Sequence, residues 1–311
     1  MPLIRPPTLL PSLVATLSLF RHVRPGLADP RQLPCIERAL PEGRLDPDWL
    51  RAYRACVGLP PLPNDCLPPL ALQIAAAPLH MAIIGDPRFP FPALGLVHLS
   101  QAVTQYRPIP PGASLRLRAY SGDARVERRG MSFGLVTVAS VDGELVWRGE
   151  TRALAIDREA AGSAAASPRR MLEAAAGKAW CETRLRVAEA TGRRYAAIAG
   201  DFNPIHQHAL LARLFGFRRA IVHGTWTLAQ ALAASGLPGQ EAFQLQAHFR
   251  RPVELPSEIL VRAYGQAPSV RLDVQGVAGG PVLLDAQICP PVAANGNRGA
   301  AGTGVSPDRS Q

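Results

Sequence analysis

The chain has 311 residues, of which 47% are hydrophobic and 19% charged, and it carries a formal net charge of +10. This balance excludes an intrinsically disordered chain, a coiled coil and a small disulfide-stapled fold, and the length allows two globular domains or one large one. Five cysteines without a CxxC pair favour free thiols in a reducing cytoplasm and argue against a metal site built from them.

The excess of basic residues, 34 against 24 acidic ones, would attract a polyanion. Nucleic acid, an anionic membrane, an acidic carrier protein and a phosphorylated cofactor all have the required sign, and charge alone does not choose among them. The arginines are scattered without interleaved aromatic residues, so nucleic-acid binding is not expected. The sequence also lacks a GxGxxG loop before a helix, a Walker loop and an HExxH motif, which argues against nucleotide cofactors and zinc proteolysis.

Three segments set the predicted boundaries of the chain. An apolar run at residues 8–20 is broken by Pro11 and is too short to span a bilayer, so it predicts a domain element and no membrane anchor. Residues 155–170 are rich in small residues and predict a linker, and residues 291–311 predict a disordered tail. The expected units are therefore residues 1–154 and 171–290.

The first unit contains an apolar segment long enough for a helix, LALQIAAAPLHMAIIG at residues 70–85. It is followed by a proline-rich turn and an alternating strand pattern, RPIPPGASLRLRAY, at residues 107–120. Two further strands are predicted at residues 131–140 and 143–154, and the Val-Asp-Gly between them is a hairpin signal.

The second unit repeats this plan. RPVELPSEILVRAY at residues 251–264 matches residues 107–120 at a fixed offset of 144, with Arg, Pro, Arg, Ala and Tyr recurring at the same places. The apolar segment TWTLAQALAASG precedes it and ends at Gly236, a plausible helix stop. Helices this apolar, each followed by meandering strands, predict sheets wrapped around buried helices in a duplicated α+β fold.

The loop after residue 199 contains the sharpest candidate site. Pro204 disfavours helical backbone at Asn203, so a helix that begins near Thr191 is expected to end around Gly200, with Asp201 and His206 on an irregular loop. A carboxylate and an imidazole that converge on one water molecule could add or remove water across a double bond. The alternative is an Asx turn in which Asp201 or Asn203 caps backbone amides, and spacing alone leaves both interpretations open.

His223, Gly224 and Thr225 precede the apolar helix of the second unit. A glycine there exposes amide groups at a helix N-terminus, which would suit a developing oxyanion. The alternative is that Gly224 only permits close packing between helix and sheet. For His223 considered alone, a packed or hydrogen-bonded structural role is favoured.

These motifs together are recognisable. They comprise Ala199, then Gly200-Asp201-Phe202-Asn203-Pro204-Ile205-His206, then Gly216-Phe217, and finally Val222-His223-Gly224. The pattern resembles the MaoC-like dehydratases, also called (R)-specific enoyl-CoA hydratases. More diffusely, residues 8–290 resemble the two-unit bacterial members, including FPFPALGLVHL at residues 89–99.

The resemblance implies a double hotdog fold, in which each unit wraps an antiparallel sheet around a long central helix. It implies a hydro-lyase that interconverts trans-2-enoyl and (3R)-3-hydroxyacyl thioesters of CoA or acyl carrier protein, with no other cofactor and no metal. Asp201 and His206 would activate water, Asn203 would brace the loop, and the Gly224 amide would polarise the thioester carbonyl. The residues expected to contact substrate are Gly200, Pro204, Phe217, His223, Thr225 and Arg251.

Two other functions stay open, a hotdog thioesterase and a non-catalytic acyl-thioester-binding subunit. A homodimer of double hotdogs is also compatible with the resemblance. Four arginines are candidates for contacts with a phosphorylated or acidic carrier: Arg218, Arg219, Arg250 and Arg251.

The first unit departs from the family pattern, because PLPNDCLPP stands where the second unit has its catalytic loop. One active site per chain is therefore expected, with Asp65 as a turn residue and His80 and His98 as core or sheet residues. We hypothesise that the interior of this unit houses the acyl tail beside Ala76 and Ala77. In the second unit, His208 is expected at the surface or the entrance.

Overall fold

The computed structural model describes residues 1–6, 26–27, 29–60, 66–93, 95–156, 178–236, 242–266, 268–277 and 279–291. The expectations for the apolar run at 8–20, for Asp65, for the tail beyond residue 291 and for most of the linker lie outside the described residues. The last strand of the first half continues to Ile156, and so includes the first two residues of the expected linker.

The described residues form twelve strands and six α-helices. The strands are β1 (Leu3–Ile4), β2 (Glu37–Ala39), β3 (Arg44–Leu45), β4 (Val97–Gln105), β5 (Arg116–Glu127), β6 (Gly130–Val141), β7 (Glu144–Ile156), β8 (Cys181–Val187), β9 (Phe243–Phe249), β10 (Ser257–Gln266), β11 (Ser269–Gly276) and β12 (Val282–Cys289). The helices are α1 (Pro47–Cys56), α2 (Ala71–Ala75), α3 (Ala77–Ile84), α4 (Thr191–Ala199), α5 (Ala209–Leu214) and α6 (Gly224–Ala234). Two short 3-10 turns lie at Pro30–Gln32 and Pro204–His206.

Ten strands form one antiparallel sheet in the order β2-β5-β6-β7-β4-β9-β12-β11-β10-β8, and β1 and β3 pair separately. Read outward from the centre, both halves have the same strand plan, with β4 matching β9 and β2 matching β8. The sequence repeat lies on β5 and β10, which hold equivalent places. The two halves join where β4 pairs with β9, from Ser100 opposite His248 to Gln105 opposite Phe243. The predicted duplicated α+β fold is confirmed.

The apolar helix predicted in the first unit is interrupted. Helix α2 ends at Ala75 and α3 begins at Ala77, because Pro78 has no amide hydrogen to continue the helical ladder through this turn. The helix predicted in the second unit is one segment, α6, followed by Gly236 with φ of +64°. Among the described residues, no helix has the length and apolar character needed to cross a membrane.

The two halves share one hydrophobic core, and two tryptophans connect them. The Trp49 indole donates a hydrogen bond to the Ile198 carbonyl (2.9 Å), and the Trp226 indole donates one to the Cys56 carbonyl (3.1 Å). Both bonds link α1 of the first half to helices of the second half. They hold the loop after α4 against the first half, because Ile198 lies on α4 just before that loop.

Candidate active site

The loop that follows α4 is shaped by its own backbone. Gly200 ends the helix with a φ of +70°, a left-handed backbone conformation that residues with a Cβ rarely adopt. The Asp201 carboxylate then accepts a hydrogen bond from the Asn203 amide (3.1 Å), and the Asn203 side chain accepts one from the Ile205 amide (3.3 Å). Both Asx turns are therefore present, and His206 lies on an ordered 3-10 turn and not on irregular backbone as expected.

The loop brings Asp201 and His206 together with a third residue, His223. One carboxylate oxygen of Asp201 and one ring nitrogen of each histidine lie within 4.8 Å of one another. The two imidazoles are buried, whereas the Asp201 side chain is 52% exposed and lines a cavity. The Asx turn and the convergence of acid and imidazole, which were alternatives at the sequence level, are thus both present.

The hydrogen bond made by His206 determines which of its nitrogens can accept a proton. Its Nδ1 lies 2.8 Å from the Ile221 carbonyl oxygen, which can only accept, so Nδ1 carries the hydrogen. Burial lowers the pKa of His206, and the nearby Asp201 carboxylate and the Ile221 carbonyl only partly oppose that effect. At neutral pH the ring is therefore uncharged, with Nε2 as a free base.

His223 braces the same loop from the other side. Its Nε2 donates to the Asp201 main-chain carbonyl (3.0 Å), and its Nδ1 is buried without a hydrogen-bond partner among the described residues. Burial and the adjacent His206 lower the pKa of His223 to about 3. The Tyr195 ring packs edge-on against the imidazole, and its hydroxyl donates to the Thr225 hydroxyl (3.2 Å). The geometry of His223 is that of the hydrogen-bonded structural residue favoured at the sequence level.

The Asp201 carboxylate remains charged in this setting. Burial by itself raises the pKa of Asp201, but His223, His206 and the Asn203 amide outweigh this effect and hold the pKa below its ordinary value. The site therefore combines an ionised carboxylate with a neutral imidazole at neutral pH. This pair can hold a water molecule by two hydrogen bonds and accept a proton from it.

Gly224 is the first residue of α6, and His223 precedes it without a side-chain cap. A Cβ at position 224 would lie 2.9 Å from two ring carbons of Phe249, so the glycine is required for close packing of the helix on β9. The first amides of a helix also lack partners within the helix and carry its positive dipole end. The position of Gly224 is therefore compatible with both roles considered from the sequence, an amide that binds an oxyanion and close packing between helix and sheet.

A cavity of about 850 Å³ opens beside these groups and is lined by both halves of the chain. Eight predicted site residues of the second half line it: Asp201, Asn203, His206, Phe217, His223, Gly224, Thr225 and Arg251. Gly200 and Pro204 do not line it and act only on the backbone of the loop. The first half contributes apolar side chains from α2 and α3, namely Ile74, Ala77, Met81 and Ile84.

The two alanines proposed to line an acyl pocket are separated by the structure. Ala77 lines the cavity, but Ala76 is fully buried and is not among the lining residues. Ala76 sits between the two helical segments, and its carbonyl accepts from the Leu79 and His80 amides. Ala77 therefore remains a candidate for contact with the acyl tail, and Ala76 does not.

His80 and His98 line the cavity, which the sequence analysis missed. His80 Nε2 lies 2.7 Å from the Thr137 hydroxyl, and His98 Nε2 lies 3.0 Å from the Ser100 carbonyl. Burial lowers the pKa of both imidazoles to about 4. They are hydrogen-bonded residues of the helix and sheet, as expected, and both remain uncharged at neutral pH.

The arginines near the cavity have different environments. Arg250 lines the cavity and is paired with the buried Asp285 carboxylate (Nε to Oδ2, 2.5 Å), so its interpretation as a carrier contact stays a prediction. Arg251 is exposed and lines the cavity, and Arg218 and Arg219 are exposed without lining it. The sequence analysis overlooked Arg128 and Arg129, which lie in the β5–β6 turn and line the cavity from the first half.

His208 has a local structural role that the sequence pattern did not show. It is exposed, and its Nδ1 accepts a hydrogen bond from the Leu210 amide (3.2 Å). It therefore caps the N-terminus of α5. This capping role places His208 at the surface, one of the two positions expected for it.

Comparison with known proteins identifies the family of the chain. Residues 173–271 match the model of the MaoC-like domain family. The chain is 34% identical over 228 residues to 3-hydroxyacyl-thioester dehydratase X of Mycobacterium tuberculosis, covering 73% of this chain and 79% of the relative. The crystal structure of HtdX from Mycobacterium tuberculosis matches with a TM-score of 0.69 and 29% identity, covering 82% of this chain and 100% of that chain.

The fold is shared more widely. A MaoC-like dehydratase from Phytophthora capsici matches with a TM-score of 0.63 at 15% identity, covering 85% of this chain and 97% of that chain. The predicted hotdog architecture and the resemblance stated from the sequence motifs are both confirmed. The chain belongs to the MaoC-like dehydratase family and is a hydro-lyase.

Proposed function

We propose that this chain catalyses the reversible hydration of trans-2-enoyl thioesters to (3R)-3-hydroxyacyl thioesters. The observation that carries the proposal is that a carboxylate oxygen of Asp201 and a ring nitrogen of neutral His206 lie within 4.8 Å of each other, beside a cavity that both residues line. The similarity to a 3-hydroxyacyl-thioester dehydratase supports the same substrate class.

In the hydration direction, Asp201 and His206 hold one water molecule by hydrogen bonds. His206 Nε2 takes a proton from the water as its oxygen bonds to C3 of the enoyl group. The electron pair of the C2–C3 double bond moves onto C2 and the thioester oxygen. The dyad then returns a proton to C2, so the elements of one water molecule are added and both side chains regain their starting states. Dehydration is the reverse of these steps.

The negative charge that develops on the thioester oxygen needs a donor, and we assign this role to the Gly224 amide. It lies at the N-terminus of α6, where amides and the helix dipole favour an oxyanion. Donors of this kind contribute roughly 3–4 kcal/mol to transition-state stabilisation in other acyl-transfer sites. Asn203 supports the reaction indirectly. Its main-chain amide donates to the Asp201 carboxylate and its side chain accepts from the Ile205 amide, and these two bonds fix the position of Asp201.

The two units, residues 1–154 and 171–290, would then have different roles. The second unit carries every catalytic residue, and the first supplies the apolar cavity wall at Ile74, Ala77, Met81 and Ile84. We propose that the acyl tail lies against this wall. One active site per chain, a homodimer and a cytoplasmic location remain predictions.

The test is hydration of crotonyl-CoA and of a longer trans-2-enoyl-CoA, followed by loss of the enoyl-thioester absorbance and by chiral analysis of the product. Wild type should form the (3R)-alcohol, and correctly folded Asp201→Asn and His206→Ala variants should lose orders of magnitude in kcat. Release of free CoA without the alcohol would instead indicate a thioesterase. No turnover of either CoA or acyl carrier protein esters would favour a non-catalytic binding subunit.

A further inference from the structure

Helix α5 exposes its leucines and buries an alanine, which is the reverse of the usual pattern of a surface helix. Leu210, Leu211 and Leu214 are 62%, 42% and 76% exposed, whereas Ala212 is completely buried. Ala212 packs in a small cluster with Ile205 and Ile221. A surface helix normally buries its leucines and exposes its small or polar residues. The exposed leucines therefore do not serve the packing of this helix.

The clustering of these leucines is also unusual on this molecule. Ten large hydrophobic side chains are exposed in the described part of the chain, and three of them lie on this helix of six residues. Single exposed hydrophobic residues are normal, but a contiguous apolar patch marks a binding surface. Leu210 and Leu214 are four residues apart and so share one helical face.

Positively charged side chains surround the patch. Arg193 donates to the Gln207 carbonyl (3.0 Å), which places its guanidinium beside the start of α5. Arg213 donates to the Arg218 carbonyl (3.4 Å) at the other end of the helix. The side chains of four arginines form no ion pair with any described residue: Arg193, Arg213, Arg218 and Arg219. Between residues 190 and 219, the only acidic residue is Asp201, which faces the cavity.

The patch adjoins residues that line the active-site cavity. Phe215 and Phe217 follow α5 directly and line the same cavity as Asp201. We propose that Leu210, Leu211 and Leu214, with Arg193, Arg213 and Arg218, form a docking surface for an acidic carrier protein that delivers the acyl chain as a protein-bound thioester. The proposal of this leucine–arginine surface rests on the proposed function, and it specifies which carrier brings the substrate.

Charge and exposed apolar area together favour this partner over a second copy of the chain and over free CoA. A second copy of the chain, which has a net charge of +10, would place the same arginines against each other in a two-fold contact. Free CoA carries negative phosphates but has no surface that would bury three leucines outside the cavity. An acidic protein with exposed apolar side chains satisfies both features at once.

The test compares the same trans-2-enoyl chain on acyl carrier protein and on CoA. Two double variants remove different parts of the surface, Leu210→Gln with Leu214→Gln and Arg193→Glu with Arg213→Glu. Each should lower kcat/KM for the protein-bound substrate by about tenfold or more through KM, and change kcat/KM for the CoA ester by less than about twofold. The matched control is Arg44→Glu, an exposed arginine on β3 that does not line the cavity.

Three results would overturn the proposal. These are an equal loss on both carriers, no loss on either, or conversion of a wild-type dimer into a monomer by the leucine variant in light scattering. If wild type turned over neither substrate, the proposed reaction would fail. The surface would still be tested by direct binding of holo acyl carrier protein, which wild type and Arg44→Glu should bind and both double variants should not.

Discussion

The imidazole rings of His206 and His223 stack with centroids 3.6 Å apart and planes inclined by 25°. Two cationic rings at this distance would repel strongly, so protonation of either ring opposes protonation of the other. Burial adds to this effect and lowers the pKa of both. Burial is the main cause, and it keeps His206, the proposed base, neutral at pH 7.

The first prediction concerns the pH dependence of activity. His206 must be neutral to accept a proton, and burial holds its pKa below the ordinary value of 6.5. The acidic limb of activity should therefore have its midpoint below pH 6.5, and kcat/KM should reach a plateau on the alkaline side of that limb. The measurement is kcat/KM for crotonyl-CoA against pH, which reports on the free enzyme. An acidic limb centred at or above pH 6.5 would contradict this assignment.

A second prediction concerns folding stability. His80, His98, His206 and His223 have folded-state pKa values below 6.5, so the unfolded chain binds more protons as the pH falls through 6.5. The free energy of unfolding should therefore decrease from pH 6.5 towards about 4. The slope should reach at most about 1.4 kcal/mol per pH unit for each histidine. Urea unfolding at pH 7, 6 and 5 measures it, and His80→Gln should reduce the slope. A pH-independent free energy over this range would refute the prediction.

The third prediction separates the two roles of Gly224. In Gly224→Ala the new methyl group would lie 2.9 Å from the Phe249 ring, so we expect a loss of about 1–3 kcal/mol of stability and at least tenfold in kcat/KM. Phe249→Leu in the same chain should relieve the contact and restore both quantities. If the stability returned but kcat/KM did not, the loss of activity would result from a changed direction of the amide at position 224 and not from the packing against Phe249.

A fourth prediction concerns the acyl pocket. Ala77→Phe should shift the preference towards shorter enoyl chains, because Ala77 lines the cavity. Ala76→Leu is the matched control, since Ala76 is buried beside it but does not line the cavity. The control should lower thermal stability without changing the ratio of kcat/KM between short and long enoyl-CoA substrates. An unchanged ratio in Ala77→Phe would reject the first half as the acyl pocket.

Local features of this chain could be predicted from its sequence. The Val-Asp-Gly turn forms a hairpin in which Asp142 and Gly143 both have positive φ, as the mirror-image turn between twisted strands requires. The end of α4 at Gly200 was likewise determined by local backbone chemistry. The interruption at Pro78 could have been predicted from the missing amide hydrogen, but the length of the apolar run obscured it.

Other features depend on contacts between distant residues and could not be predicted. Arg250 is bound to Asp285, 35 residues away, and nothing in the basic pair at 250–251 distinguishes it from Arg251. The hydrogen bond from His223 to the Asp201 carbonyl joins residues on separate elements. Which of two adjacent alanines lines a cavity also depends on the exact break between α2 and α3.

The continuous sheet formed across β4 and β9 has a consequence for how the two halves can differ. In a dimer of identical subunits, every substitution occurs in both subunits. A change that removes the catalytic loop and opens space in one subunit therefore also removes that loop from the other. Here the pairing of Ser100 with His248 joins two halves encoded by separate stretches of one chain. Covalent linkage releases each half from symmetry, so one half can lose its loop while the other retains a complete site.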